Sequence, residues 1–425
     1  MEDNSSSVTV PNPPESPQFR TTCGEILGDG TVIDLVNEGD RLFLVHWDGR
    51  EAVIVPYLNH GDVVYTPPRL ALSLYQAVRF PGAPIDFGSL RTLLHDTSAV
   101  FERCGCAKDD ARWWSVVVLA TWVPEIFPSP PTVIVCGSDM EQAAILFGLF
   151  ARLCRRALTV AELSRNLPFS IRPTLLVLSA ELSAKQRAFW RASNFQGVQI
   201  PCRGGALDTF ACPRLLFTDA EDSLAVWGPN DFRFRLLPYS RLFPLAEQEL
   251  NKIAVEFQAK FLMFRLRRLH RTNVTTSHKA QANKFSNSPL ARKLLACVQD
   301  EPEIVATISP FLEAQEREIL EQQGRDPYRA IIESIWSPSH TSKEIPISDL
   351  TKRVNAILLS RGEVIELDSR VVGWKLTHLR LPRDRDGKGK LLRFSRDVRR
   401  RLHEFAHAYQ LDLPKLGDCD DCKRR

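Results

Sequence analysis

TVIVCGSDMEQAAILFGLFARLC, residues Thr132–Cys154, is the stretch whose reading decides the fold. A β-rich apolar run ends at Gly137, a short polar turn follows, and apolar residues then recur at helical spacing as far as Leu153. A strand that ends in glycine and turns into a helix is a common place to hold a phosphate, because backbone N–H groups and the helix N-terminus surround an anion there. The nucleotide-hydrolysing version reads G-x-x-x-x-G-K-[ST]: its Lys reaches the terminal phosphates and its Ser or Thr holds Mg²⁺. Placed on Gly137, that pattern puts Gln142 at the second glycine, Ala143 at the lysine and Ala144 at the hydroxyl position. Asp139 and Glu141 add negative charge where a triphosphate would lie.

Outward from this stretch, strand and helix alternate. Apolar runs predict strands over Leu158–Val160, Thr174–Leu178, Gly197–Pro201, Arg214–Thr218 and Arg233–Leu237, and helical spacing predicts helices over Glu141–Cys154 and Ser183–Ala192. Such alternation implies an α/β fold with a mostly parallel sheet covered by helices. A nucleotide-hydrolysing core needs an acidic pair at the end of a second strand, to hold metal and orient water. In RPTLLVLSAE that pair falls on Leu178 and Ser179, with Glu181 past the strand end.

The order of these parts resembles the P-loop ATPase module, with a winged-helix tail, of bacterial mobile-element and prophage primase–helicase-type proteins. The resemblance runs through TVIVCG, FARLCRR, ALTVAEL, RPTLLVL, the turn Cys202-Arg203-Gly204-Gly205 and RLLFTD, and spans roughly Ala111 to Leu413. It implies a P-loop NTPase-like core with degenerate Walker motifs, in which Gly137, Gln142, Ala143, Ala144, Leu178 and Ser179 mark a vestigial nucleotide site. Thr218 or Asp219 would stand where the family senses the γ-phosphate. Three readings of the core stay open: a retired ATPase serving as a scaffold, an ATPase that hydrolyses ATP with unusual residues, and an unrelated α/β sheet.

The C-terminal part carries its own pattern. Helices are expected over Tyr328–Trp336, Ile347–Arg361 (with Ser348 as a cap) and Asp368–Leu379, followed by a glycine-tipped basic hairpin and a strand over Leu391–Phe394. Three helices and a hairpin in this order read as a winged helix, whose third helix enters the major groove and whose wing lies along phosphates. Between Asp368 and Arg401 there are twelve Lys and Arg against four acids, a local charge of +8 in a protein whose net charge is +4. The expected DNA contacts are Arg370, Lys375 and His378 on the helix, with Arg383, Arg385, Lys388, Lys390 and Arg393 on the wing. A solvated basic face on a protein-interaction domain is the alternative. Trp374 reads two ways, as an exposed aromatic that could stack or as a core residue, and core filling is the reading expected.

The remaining divisions follow from composition. Residues 1–22 read as a disordered leader, 23–68 as a β-rich unit with turns at Gly28-Asp29-Gly30 and Asp48-Gly49, and 69–131 as a helical segment. The core is expected over 132–272, with a long helix over Pro244–His270; a linker and helices over 273–325, the winged helix over 326–413 and a tail over 414–425 complete the chain. Cysteines within apolar runs and the absence of an apolar stretch of about 18 residues point to a cytoplasmic protein with no membrane contact. The tail's Cys419-Asp-Asp-Cys422 has the spacing of half a zinc site, but a full site needs four ligands, and a solvent-exposed tail is the reading expected. The run His403-Glu-Phe-Ala-His407 matches H-E-x-x-H but sits beside Arg399-Arg400-Arg401. No metal, no cofactor and no catalytic residue is therefore expected. The partners expected are DNA, further copies of the chain, or a replication or regulatory protein. The functions that fit are a DNA-binding helicase-like protein with an inactive core, or a ligand-responsive transcription regulator.

Overall fold

The computed structural model describes residues 18–127, 130–162, 167–179, 183–192, 197–202, 205–208, 212–219, 231–236, 242–275, 289–298, 300–324, 326–363, 366–386, 389–409, 411, 413–414 and 422. The chain divides into two compact units, Met1–Glu313 and Ala314–Arg425.

The first unit opens with β1 (Gln18–Thr21), β2 (Glu25–Ile26), β3 (Val32–Glu38), β4 (Arg41–Trp47), β5 (Ala52–Val55), β6 (Leu58–His60) and β7 (Val63–Thr66). These form an antiparallel β2-β3-β4-β5 sheet and a β1-β7-β6 sheet in which β1 and β7 are parallel. Three helices follow, α1 (Leu72–Ala77), α2 (Leu90–Arg103) and α3 (Lys108–Trp122). Ser89 caps α2, accepting from the Thr92 N–H at 3.0 Å.

The central layer is built from β8 (Thr132–Cys136), α4 (Met140–Leu153), β9 (Ala157–Val160), β10 (Thr174–Leu178), α5 (Ala184–Ala192), β11 (Gln199–Cys202), β12 (Gly205–Asp208), β13 (Arg214–Thr218) and β14 (Phe232–Arg235). Five of the strands make one sheet in the order β14-β8-β13-β10-β9, and all its pairs are parallel. β8 and β13 are buried from end to end, as expected for inner parallel strands covered on both faces. The run expected as a strand over Gly197–Pro201 lies outside this sheet: β11 pairs antiparallel with β12, the next strand in the chain. Arg203 and Gly204, which separate the two strands in sequence, lie outside the described residues.

One face of the sheet (Ile134, Cys136, Leu158, Leu175, Val177 and Leu216) shares a hydrophobic cluster with Leu27, Ile33, Leu35, Leu44 and Tyr65 of the N-terminal strands. The β-rich segment thus buries its apolar side against the parallel sheet, because strands this short have too little area for a core of their own. At the β14 edge, Trp114 of α3 packs on Phe234 with ring centroids 4.3 Å apart and Trp113 on Phe232 at 5.4 Å. The unit continues through α6 (Glu247–Thr275) and α7 (Pro289–Val298) into the first half of α8 (Pro302–Gly324), whose residues from Ala314 onward belong to the second unit. The helix α6 runs five residues beyond the expected His270; the rest of the polar stretch expected as a linker, 276–288, lies outside the described residues.

A charged cluster ties three parts of this unit together. Asp34 of β3 is buried and accepts from Arg155 at 3.1 Å, from Arg156 and from Arg265 of α6. Arg265 also holds Glu125 in a two-pronged pair at 2.7 and 2.8 Å. Burial alone would raise both carboxyl pKa values; Arg155, Arg156 and Arg265 together hold Asp34 well below the usual carboxylate range, and Arg265 brings Glu125 down to about 2.

The second unit contains α9 (Pro327–Thr341), β15 (Glu344–Pro346), α10 (Ile347–Ser360), α11 (Ser369–His378), β16 (Arg383–Asp386), β17 (Gly389–Arg393) and α12 (Arg396–Ala408). Its strands form an antiparallel sheet in the order β15-β17-β16. Caps set the helix starts: Asp326 accepts from the Tyr328 N–H at 2.9 Å, Asp368 from Val371 at 2.7 Å and Ser395 from Val398 at 3.3 Å. Ser348 is not a cap, since α10 begins at Ile347 after Pro346. Leu350, Val354, Val372, Leu376, Leu392 and Leu402 fill the core between the helices and the sheet.

Candidate nucleic-acid interface

Asp368 starts α11, and the 3.6-residue period then places Val372 and Leu376 inward, leaving Arg370, Trp374 and His378 on one outward stripe. Trp374 is 55% exposed, so it is a surface residue rather than the core residue expected; the inward positions are already taken by smaller side chains that fit against α10. Its ring lies 3.9 Å from that of His378. His378 Nδ1 is 3.0 Å from the Tyr328 hydroxyl, and the Lys375 amine sits 4.3 Å above the Tyr328 ring. Both Lys375 and His378 are therefore drawn toward the start of α9, while Arg370 stands exposed.

The hairpin places Arg385 opposite Lys390 and Arg383 opposite Leu392. Along β17, Leu392 lies in the core cluster and Leu391 is buried on the opposite face, while Lys390 and Arg393 are exposed. Arg393 lies 3.4 Å from Glu344 and 3.5 Å from Asp384, which tempers its charge at the surface. Lys388 and the side chains of Arg383 and Arg385 lie outside the described residues. Arg401 donates to the Arg380 carbonyl at 2.7 Å, joining α12 to the turn after α11.

The loop after β8 is short: Gly137, Ser138 and Asp139 alone separate the strand from α4. Asp139 caps the helix, accepting from the Glu141 and Gln142 N–H groups at 3.0 and 3.1 Å. A carboxylate of the chain itself thus occupies the helix N-terminus where an anion would bind. Gln142 faces elsewhere, with its amide oxygen accepting from the Leu242 N–H at 2.5 Å. Ala143 is fully buried and Ala144 exposed. A Cβ on Gly137 would meet the Leu236 carbonyl at 2.9 Å, so close approach of the chain after β14 accounts for this glycine. Leu178 and Ser179 stand half-buried at the end of β10, and Thr218 accepts from the Gly137 N–H at 3.2 Å. Asp219 is exposed, and Glu181 lies outside the described residues.

Elsewhere in the first unit, a cavity of about 700 Å³ is lined by Asn37, Tyr75, Arg79, Arg152, Thr159 and Gln258 among others, and none of Gly137–Ala144 reaches it. The H-E-x-x-H run does not act as a pair: His403 is buried and His407 exposed. His403 instead lies beside His340 of α9 and Cys422, a grouping that no local spacing signals. Among the described residues no helix is long and apolar enough to cross a membrane.

No family model matches the sequence, and no curated protein matches it. Among solved structures, an A-form apo structure of the NrS-1 C-terminal region is similar at 9% identity and a TM-score of 0.34, covering 85% of this chain and 96% of that one. An apo structure of the same region gives 10% identity and a TM-score of 0.35, covering 85% and 95%.

Proposed function

We propose that the protein binds DNA through a winged helix formed by its second unit, and that the parallel-sheet unit is a helicase-like scaffold that does not hydrolyse nucleotide. The observation that carries the DNA reading is the exposed set Arg370, Trp374, Lys390 and Arg393 on a helix and an adjoining hairpin, within the most basic segment of the chain. Arg370 and Trp374 would face base edges and sugar, and Lys390 and Arg393 the phosphates. The helix–strand–helix–helix–hairpin order is the one a winged helix requires, and the scaffold reading rests on the strand order with β8 between β13 and β14. The inactive state rests on Asp139, whose carboxylate takes the N–H groups a phosphate would need, and on the buried Ala143 at the lysine position.

A DNA-binding titration by fluorescence anisotropy, with and without Mg-ATP at two salt concentrations, tests this. The expected result is salt-sensitive binding that ignores ATP. Binding that responds to ATP would sink the inactive-core reading, and binding unchanged by charge reversal at Lys388 and Lys390 would return the basic face to a protein-interaction role. A ligand-responsive regulator is a second reading, favoured by the cavity at Asn37 and Arg152, whose volume suits a small molecule.

A further inference from the structure

The atoms Nε2 of His340, Nε2 of His403 and Sγ of Cys422 all lie within 4.8 Å of one another. The two nitrogens are 3.2 Å apart, and the sulfur is 3.4 Å from His340 and 3.8 Å from His403. Tetrahedral zinc with Zn–N of about 2.0–2.1 Å and Zn–S of about 2.3 Å separates two nitrogens by about 3.3 Å and a nitrogen from a sulfur by about 3.6 Å. The observed triangle therefore has the edges of one face of a zinc tetrahedron.

Two further features prepare it. His340 Nδ1 donates to the Trp336 carbonyl at 2.9 Å, which fixes the proton on that nitrogen and turns the lone pair of Nε2 toward the cluster. Ser339 supports this arrangement, its hydroxyl lying 3.0 Å from the same Nδ1 and donating to the same carbonyl at 2.7 Å. Cys422 is 2% exposed although its sequence neighbours are Asp420, Asp421, Lys423 and Arg424, residues that give a segment no apolar reason to bury.

We propose that His340, His403 and Cys422 bind one zinc ion, a structural site that ties Cys422 to α9 and α12. Binding takes the proton from the Cys422 thiol to solvent and leaves both imidazoles neutral, each ligating through Nε2. The site is a buried one, and its fourth position is left to a donor beyond these three. The partner of Cys422 in the C-x-x-C run, Cys419, lies outside the described residues.

The test is metal analysis of the full chain, purified without added zinc, alongside Co²⁺ titration of the metal-stripped protein. The expected result is about one zinc per chain and, with Co²⁺, a thiolate-to-metal charge-transfer band with tetrahedral d–d absorption. Cys422→Ser should lower the intensity of the charge-transfer band by at least one thiolate's share, and His340→Ala should lower the zinc content severalfold. His407→Ala, the exposed member of the H-E-x-x-H run, should retain full zinc. If a variant fails to fold, the cobalt spectrum of the wild-type chain still decides. A folded wild-type chain with no zinc and no charge-transfer band overturns the proposal, as does a band of undiminished intensity in Cys422→Ser. Loss of zinc in His407→Ala would also overturn it, since it would move the site to the opposite side of α12.

Discussion

The carboxylate of Asp139 accepts a hydrogen bond from the backbone N–H of Gln142 at 3.1 Å, so the first turn of α4 is closed by the chain's own anion. Nucleotide phosphate would have to displace this carboxylate and then tolerate its charge. Asp139→Ala should lower stability by about 1 kcal/mol, the ordinary value of a helix cap, without creating ATP affinity. Urea denaturation and a nucleotide titration check the two halves; ATP binding to the variant would show that a single side chain had been blocking a working site.

Restoring the lysine should fail for a different reason. Ala143 is fully buried, and Ala143→Lys would place a long cationic side chain into packed apolar surroundings. The expected cost is roughly 2–4 kcal/mol in denaturation, from overpacking and burial of an amine. Wild-type stability in that variant would mean that the side chain reaches solvent on the loop side.

Gly137 should be intolerant of any side chain for a reason that involves no nucleotide. Its added Cβ would lie 2.9 Å from the Leu236 carbonyl, and backbone cannot yield as a flexible side chain can. Gly137→Val is expected to cost about 1–3 kcal/mol, read as a shift in the urea midpoint in the absence of nucleotide. No shift would detach this glycine from the strand crossing.

The buried cluster around Asp34 predicts how stability depends on pH. Asp34 and Glu125 have folded pKa values below their unfolded ones, near 4. Their contribution is thus complete above the unfolded values and is lost as pH falls through the folded ones. Between about pH 5 and pH 2 the wild-type chain should lose stability progressively. Asp34→Asn should cost about 3–5 kcal/mol at neutral pH, because it leaves arginines buried without their counter-charge. Thermal unfolding from pH 7 to pH 3 checks both; a variant with the same acid slope as wild type would remove Asp34 from the account.

On the second unit, charge and stacking should separate. Lys390→Ala should reduce the salt slope of DNA binding by about 1, the loss of one phosphate contact. Trp374→Ala should weaken binding about fivefold at every salt concentration, with the slope unchanged, as expected for one base–aromatic contact. Anisotropy at three salt concentrations distinguishes them. A changed slope in Trp374→Ala would mean that the substitution had disturbed the basic hairpin rather than removed a contact.

What the sequence determined by itself is the local structure. The strand at Thr132–Cys136, the helix that follows, the capped starts of α9 and α11 and the basic hairpin are all written in side-chain period, turn residues and caps, which act over a few positions. So was the absence of a lysine and of a hydroxyl at Ala143 and Ala144. Tertiary structure decided what lies beside what: β14 and β13 flank β8, the N-terminal strands bury themselves against the parallel sheet, and Trp374 is left outside a core filled by Val372 and Leu376. The same holds for the charged and metal-ligating clusters. Asp34 meets Arg265 across 231 positions and His340 meets Cys422 across 82. No spacing rule connects such residues, because their approach is fixed by the packing of whole sheets and helices rather than by the few bonds around each residue.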